Sequence, residues 1–184
     1  MKFEKLKIEG SWLIHPELVV DERGIFRRHF CAKEFAEHGI DSTVKQGNVS
    51  ENPHQFTLRG FHYQRAPFGE GKTLSCLVGR IFNILVDIRE GSPTFRQWIS
   101  LVLNAGDRQS LFVPSGCANA YLTMEANTFV HYYMTEFYQP NAYHGFRYDD
   151  PSFGFDWPAQ PKYISDKDRL LPLFGAPLTS ERLP

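Results

Sequence analysis

Three places in this 184-residue chain set ionisable or polar side chains among aromatic ones. Leu58-Arg-Gly-Phe-His-Tyr-Gln64 carries Arg59 and His62, Tyr132 and Tyr138 flank Met134-Thr-Glu-Phe137, and Ile164-Ser-Asp-Lys-Asp168 is a charged stretch following Trp157-Pro158. An imidazole gives and takes a proton near neutral pH, so acid–base work is the chemistry open to such a set. Residues two apart in a strand share a face, which aligns His62 with Gly60 and Gln64 but Arg59 with Phe61 and Tyr63. The two converge only across a bulge, and Gly60 is a suitable place for one. Each feature has a plainer reading. A lone strand histidine is more often a hydrogen-bonded structural residue, Tyr132 and Tyr138 alone are core or rim aromatics, and Ser165 to Asp168 alone is a solvated cap or turn.

Most of the chain reads as the short strands that would hold such groups. Strand signals cover Ser11 to His15, Thr57 to Gln64, Thr73 to Val78, Ile81 to Ile88, Gln97 to Leu103, Ser110 to Val113, Ala118 to Thr123 and Thr128 to Thr135. Turn signals such as Gly79-Arg80, Glu90-Gly-Ser-Pro93 and Pro114-Ser-Gly116 separate them at intervals of roughly ten residues, which predicts an antiparallel sandwich or barrel. One short helix is expected over Ala32 to Gly39, closed by its glycine. The proline-rich, aromatic last part of the chain predicts irregular structure packed on the barrel.

Composition narrows the function classes. Twenty Lys plus Arg against 21 Asp plus Glu leave a formal charge of -1, which gives no basic footprint for nucleic acid or an anionic membrane. The 16 Phe, 8 Tyr and 3 Trp make the chain 15% aromatic, a bias towards strands and stacking sites. No apolar run is long enough for a membrane span, and MKFEKLKIEG has no signal-peptide core. A soluble, cytoplasmic protein is expected. Cys31, Cys76 and Cys117 are odd in number and widely spaced, so neither a disulfide framework nor a zinc knuckle follows. His15, His29, His38, His54, His62, His131 and His144 never fall as HxH or HxxxH, and no metal is expected.

Taken together the segments resemble the dTDP-4-dehydrorhamnose 3,5-epimerase family, from Asp21-Glu-Arg-Gly24 to Asp168-Arg-Leu-Leu-Pro172. The markers, in order, are Leu58 to Gln64, Gly71-Lys72, Val86-Asp-Ile-Arg-Glu-Gly-Ser-Pro-Thr-Phe95, Gln97-Trp98, Val113-Pro-Ser-Gly116, Asp149-Asp-Pro151 and Ile164 to Asp168. The resemblance implies an all-β cupin jelly-roll, a double-stranded antiparallel barrel or sandwich with short peripheral helices, as one domain over residues 1–184. It also implies an enzyme that inverts C3, C5 or both in a nucleotide-linked 4-keto-6-deoxy sugar, with no cofactor. The C4 ketone acidifies the neighbouring C–H bonds, so a base on one face, an acid on the other and a cation at the enolate oxygen suffice.

By similarity His62 is the base, Asp168 its orienting carboxylate, Tyr132 the proton donor and Lys72 the cation near the keto oxygen. Arg23 and Arg59 match contacts to the sugar nucleotide, Gln46 and Asn48 polar contacts to the nucleotide, Phe26 its apolar wall, and Tyr138 the ring that stacks on the base. Lys167 matches a further ligand contact. Three positions depart from the family pattern: Asn119 replaces a histidine, Arg28 an acidic residue, and Tyr143 another. A changed specificity is therefore expected, with a GDP-linked heptose, a CDP-sugar or epimerisation at C3 alone as alternatives. A cupin that binds a sugar nucleotide without turnover is the alternative of another class. The resemblance further implies a homodimer whose N-terminal strand crosses to the partner's sheet.

Overall fold

Turns every ten residues or so cut the chain into short antiparallel strands. The computed structural model describes residues 1–175; residues 176–184 of the expected single domain lie outside the described residues. In chain order the elements are β1 (Lys2–Lys5), β2 (Trp12–His15), β3 (Leu18–Asp21), β4 (Gly24–Arg27), α1 (Ala32–Glu37), β5 (Gln46–Asn52), β6 (Leu58–Gln64) and β7 (Lys72–Val78). They continue as β8 (Arg80–Asp87), β9 (Trp98–Asn104), β10 (Ser110–Val113), β11 (Cys117–Thr123), β12 (Thr128–Met134), β13 (Tyr143–Gly145) and α2 (Asp166–Arg169). Two sheets, ordered β1-β2-β10-β7-β12-β5 and β13-β6-β11-β8-β9, form a cupin-like β-sandwich, with β3-β4 as a separate hairpin. Among the described residues no helix is long and apolar enough to cross a membrane.

Alternation along β8 and β11 builds two cores from one sheet. Ile81, Leu85, Cys117 and Tyr121 point between the sheets, where they pack with Leu74, Leu111 and Val130. Ile84, Val86, Ala118 and Ala120 point outward against Phe61 and Phe146. The alanines leave room for the aromatic C-terminal segment. Phe61 stacks on Phe146 and Phe155 at centroid distances of 4.7 and 4.6 Å, and Trp98 Nε1 donates to the Phe153 carbonyl at 3.0 Å. A third cluster seats Phe35 of α1 against Ile14, Ile40 and Phe112. Cys76 and Cys117 are buried free thiols, pushed up by burial to about 11 and about 12.

Two expectations change. The N-terminal strand does not leave its chain: β1 pairs with β2, Lys2 opposite His15 and Lys5 opposite Trp12. The intervening turn closes through Leu6 N–H to the Ser11 carbonyl and Ser11 N–H to the Ile8 carbonyl, and so short a loop costs little chain entropy to close. The stretch Ile164 to Asp168 is the cap that its plainer reading allowed, but it is not solvated throughout. Ser165 caps α2 by accepting from the Asp168 N–H at 3.1 Å, and Asp168 is buried.

Candidate active site

A cavity of about 400 Å³ opens between the two sheets, within the range of small-molecule sites. One wall comes from the larger sheet: Gln46, Asn48 and Ser50 of β5, Lys72 and Leu74 of β7, Tyr132 and Met134 of β12. Register explains the grouping, because Tyr132 lies between Asn48 and Leu74, and Met134 between Gln46 and Lys72. The facing wall carries Arg59 and His62 of β6, Asn119 and Tyr121 of β11, and Tyr143 of β13.

Arg59 and His62 share this cavity because β6 is bulged. Asn119 pairs with His62 and Tyr121 with Arg59, so two steps on β11 span three on β6. Gly60 sits at φ +113°, and a Cβ there would lie 2.6 Å from the Asn119 carbonyl oxygen, so only glycine permits the approach. The C-terminal chain then returns beside β6: the Leu58 N–H donates to the Tyr163 carbonyl at 2.8 Å. That contact delivers α2, and with it Asp168, to the back of His62.

His62 Nε2 lies 2.7 Å from Asp168 Oδ1, and Asp168 Oδ2 accepts the Gly60 N–H at 3.2 Å. Burial pushes the Asp168 carboxyl up, but the hydrogen bond and charge of His62, the Gly60 N–H and Arg59 outweigh it and hold it below its ordinary value. An ionised carboxylate only accepts, so Nε2 carries the imidazole hydrogen and Nδ1 keeps its lone pair. Among the described residues Nδ1 has no protein hydrogen-bond partner. For His62, burial pulls the pKa down further than Asp168 lifts it, and Lys72 and Lys167 add to the depression. The ring is thus a neutral base at pH 7.

Opposite it, burial raises the Tyr132 phenol and the charge of Arg59 only partly offsets this, so the group stays protonated. Arg59 is fixed by donating Nε–H to Asn52 Oδ1 at 2.8 Å, and Lys72 Nζ is paired with Glu70 Oε1 at 2.8 Å. A neutral base on one sheet, a phenol on the other and an ammonium beside them can remove a proton from carbon and return one to the opposite face.

Ten of the residues expected from sequence line this cavity: Gln46, Asn48, Arg59, His62, Lys72, Asn119, Tyr132, Tyr138, Tyr143 and Lys167. Asp168 stands directly behind. Tyr143 packs 5.2 Å from the His62 ring and carries Lys167 Nζ 4.1 Å above its own ring. Arg23, Phe26 and Arg28 are elsewhere in this chain. Arg23 is paired with Asp21 at the tip of the β3-β4 hairpin, and Phe26 is 72% exposed on the same hairpin. Arg28 donates to Glu34 Oε1 at 2.7 Å, so its charge is answered locally rather than presented to the cavity. Ser50, Glu70 and Tyr121 were not foreseen. Strand alternation would have found two of them, since Ser50 follows Gln46 and Asn48, and Tyr121 follows Asn119, at period two.

A model of the family described as dTDP-4-dehydrorhamnose 3,5-epimerase matches residues 5–175. The dTDP-4-dehydrorhamnose 3,5-epimerase of Sinorhizobium fredii is 36% identical over 173 residues, covering 94% of this chain and 89% of that one. The crystal structure of the Bacillus anthracis enzyme of that name, with TDP and PPi bound, superposes with a TM-score of 0.90 at 33% identity, covering 94% of this chain and 98% of the other. The Legionella pneumophila dTDP-6-deoxy-D-glucose-3,5-epimerase, in complex with dTDP-4-keto-L-rhamnose, gives 0.87 at 34% identity, covering 94% and 92%.

Proposed function

Because this chain belongs to the dTDP-4-dehydrorhamnose 3,5-epimerase family and is an epimerase of deoxysugar synthesis, we propose that it inverts C3 and C5 of a dTDP-linked 4-keto-6-deoxy sugar through His62, Tyr132 and Lys72. The observation that carries this reading is the placing of His62 and Tyr132 on opposed sheets of one cavity. His62 Nδ1 takes the C–H proton next to the C4 ketone, and the electron pair moves onto the keto oxygen. Lys72 meets the charge that develops there. Tyr132 gives its phenolic proton to the other face of the carbon. The imidazolium then releases its proton to water and the phenolate recovers one, which closes the cycle. Arg59 and Lys167 face the diphosphate, Tyr138 stacks on the base, and Gln46 and Asn48 meet its polar edge. Asn119 hydrogen-bonds the sugar without carrying charge. The protein is cytoplasmic and one domain over 1–184, and the chemistry draws on side chains alone.

The experiment follows deuterium by NMR in D₂O with dTDP-, GDP- and CDP-linked 4-keto-6-deoxy sugars. Exchange and inversion at both C3 and C5 of the dTDP sugar are expected. Exchange at C3 alone would make it a mono-epimerase, and turnover confined to a GDP or CDP sugar would reassign the nucleotide. No exchange with any of them would leave a binding module and overturn the enzyme.

The β3-β4 hairpin supports a homodimer. Val19, Val20, Ile25 and Phe26 are 59, 67, 46 and 72% exposed on it, an apolar surface that a monomer would leave in water. A second copy covers it, and places Arg23 and Phe26 at the partner's cavity. Sedimentation at micromolar concentration should give twice the 21.2 kDa chain mass; a monomer with full activity would contradict the pairing.

A further inference from the structure

We propose that Glu70 is a positioning residue of this reaction: it anchors the Lys72 ammonium and balances its charge when His62 becomes a cation. The inference rests on the reading of His62 as base and Lys72 as the partner of the keto oxygen.

Glu70 lies in the loop joining β6 to β7 and is 4% exposed. Its two oxygens are used differently. Oε1 meets Lys72 Nζ at 2.8 Å, and Oε2 accepts the Gln64 N–H at 2.9 Å. The carboxylate therefore ties the strand of the base to the strand of the cation. Its support is itself fixed, because the Gln64 side chain donates to the Phe68 carbonyl at 2.8 Å and accepts the Gln139 N–H at 2.7 Å. The Lys72 ammonium has only one other hydrogen-bond partner among the described residues, the His62 carbonyl at a long 3.4 Å. Glu70 thus fixes the ammonium without exhausting its three N–H donors, and one remains for a ligand oxygen.

Charge gives the same answer. Arg59, Lys72 and Lys167 bring three cations to the cavity, against Glu70 in its lining and Asp168 behind it. Asp168 is committed to His62 and the Gly60 N–H. Proton abstraction adds an imidazolium, and Lys72 and Lys167 both disfavour that form. With Glu70 neutral, a nearly buried ammonium would face a new cation with no counter-charge of its own, an arrangement low-dielectric surroundings penalise heavily. Each cation on the reaction path instead has its carboxylate: Asp168 for His62, Glu70 for Lys72.

Glu70→Gln isolates the effect, since the amide keeps the size and can still accept the Gln64 N–H through its oxygen. Kinetics and solvent-deuterium exchange on dTDP-4-keto-6-deoxyglucose are compared for the native enzyme, Glu70→Gln, Lys72→Met and the double variant. The expected result is a kcat about 10- to 100-fold lower in Glu70→Gln with KM held within about threefold, the split that marks a contact made on the reaction path. In the Lys72→Met background the same change should cost less than about twofold, because Glu70 then has nothing to position. An unchanged kcat in Glu70→Gln overturns the proposal. So does an equal loss in both backgrounds, which would make Glu70 a loop anchor, or a raised KM at constant kcat. Should the glutamine variant fail to fold, Glu70→Asp keeps the charge but cannot reach both partners. A lower kcat at constant KM then supports the proposal, and native kcat refutes it. A native enzyme that shows no exchange at all is a failure of the epimerase reading, not of Glu70.

Discussion

Replacing His62 with Asn should reduce deuterium incorporation at C3 and C5 by about 10²- to 10⁴-fold, the usual worth of a positioned general base. Asparagine is the informative choice. Its amide extends only as far as the ring atoms next to Cγ, so it removes the base. Asp168 Oδ1, 2.7 Å from Nε2 in the native site, loses its partner, while Oδ2 keeps the Gly60 N–H. Thermal stability should fall by about 1–3 kcal/mol, the cost of one unpaired buried acceptor, far less than unfolding the chain. What disappears is the Nδ1 lone pair. The pH profile gives a second reading. Burial holds the His62 pKa below its ordinary 6.5, and only the neutral ring accepts a proton. Native kcat/KM should therefore stay level down to below pH 6.5 and then fall as the ring protonates. Any residual rate in the variant should lack that acid limb. Full activity in His62→Asn, or the same limb in its residual rate, would remove the histidine from the chemistry.

The eight strands expected from apolar patterning all form, each within one residue of its expected ends. They are the two-sided or core strands, where alternation is strong. The strands that escaped notice carry the weakest signal for a physical reason. β5 alternates half-buried Gln46, Asn48 and Ser50 with exposed Gly47, Val49 and Glu51. Its inner face is polar because it lines the cavity, which inverts the usual pattern of apolar-in and polar-out. The β3-β4 hairpin carries apolar residues that are exposed among the described residues. A hairpin with no buried face shows none of the in–out alternation by which a strand is recognised.

The site divides in the same way. Convergence of Arg59 and His62 needed a bulge, and Gly60 was legible as its place because a glycine inside a strand often marks one. The structure adds the reason, since a Cβ there would collide with β11. The pairing of His62 with Asp168, 106 positions apart in sequence, was legible only through the family pattern, since no local spacing encodes it. Glu70 is two residues from Lys72 yet went unread, because a charged residue in a Gly-rich loop looks solvated. Only the fold reveals that Gln64 turns its backbone N–H into the loop and draws the carboxylate inward. Of the three departures, Asn119 and Tyr143 line the cavity, whereas Arg28 lies outside it and is paired with Glu34. The aromatic excess is likewise split. Phe61, Phe146, Phe153, Phe155 and Trp157 fasten the C-terminal chain to the outer sheet face, which is what carries Asp168 home. Tyr132, Tyr138 and Tyr143 face the cavity.

Tyr132→Phe should separate two events that His62→Asn stops together. The ring fills the same space between Asn48 and Leu74, and the lost hydroxyl has no protein hydrogen-bond partner among the described residues. Stability should change by less than about 1 kcal/mol, the scale of one ordinary hydrogen bond. His62 remains able to take the proton and, as imidazolium, to exchange it with D₂O and return it to the same face. Deuterium should therefore still enter the sugar, while inversion falls by about 10²- to 10⁴-fold for want of an acid on the far side. Following label and configuration in one NMR time course measures the ratio directly. Burial keeps the native phenol protonated across the neutral range, so this ratio should not vary between pH 6 and 8 in the native enzyme. Native rates of inversion in Tyr132→Phe would exclude the phenol as the donor. Parallel loss of exchange and inversion would place its effect at the first proton transfer instead, and the two-wall geometry would then need another acid on the larger sheet, where Lys72 is the cationic donor lining the cavity among the described residues.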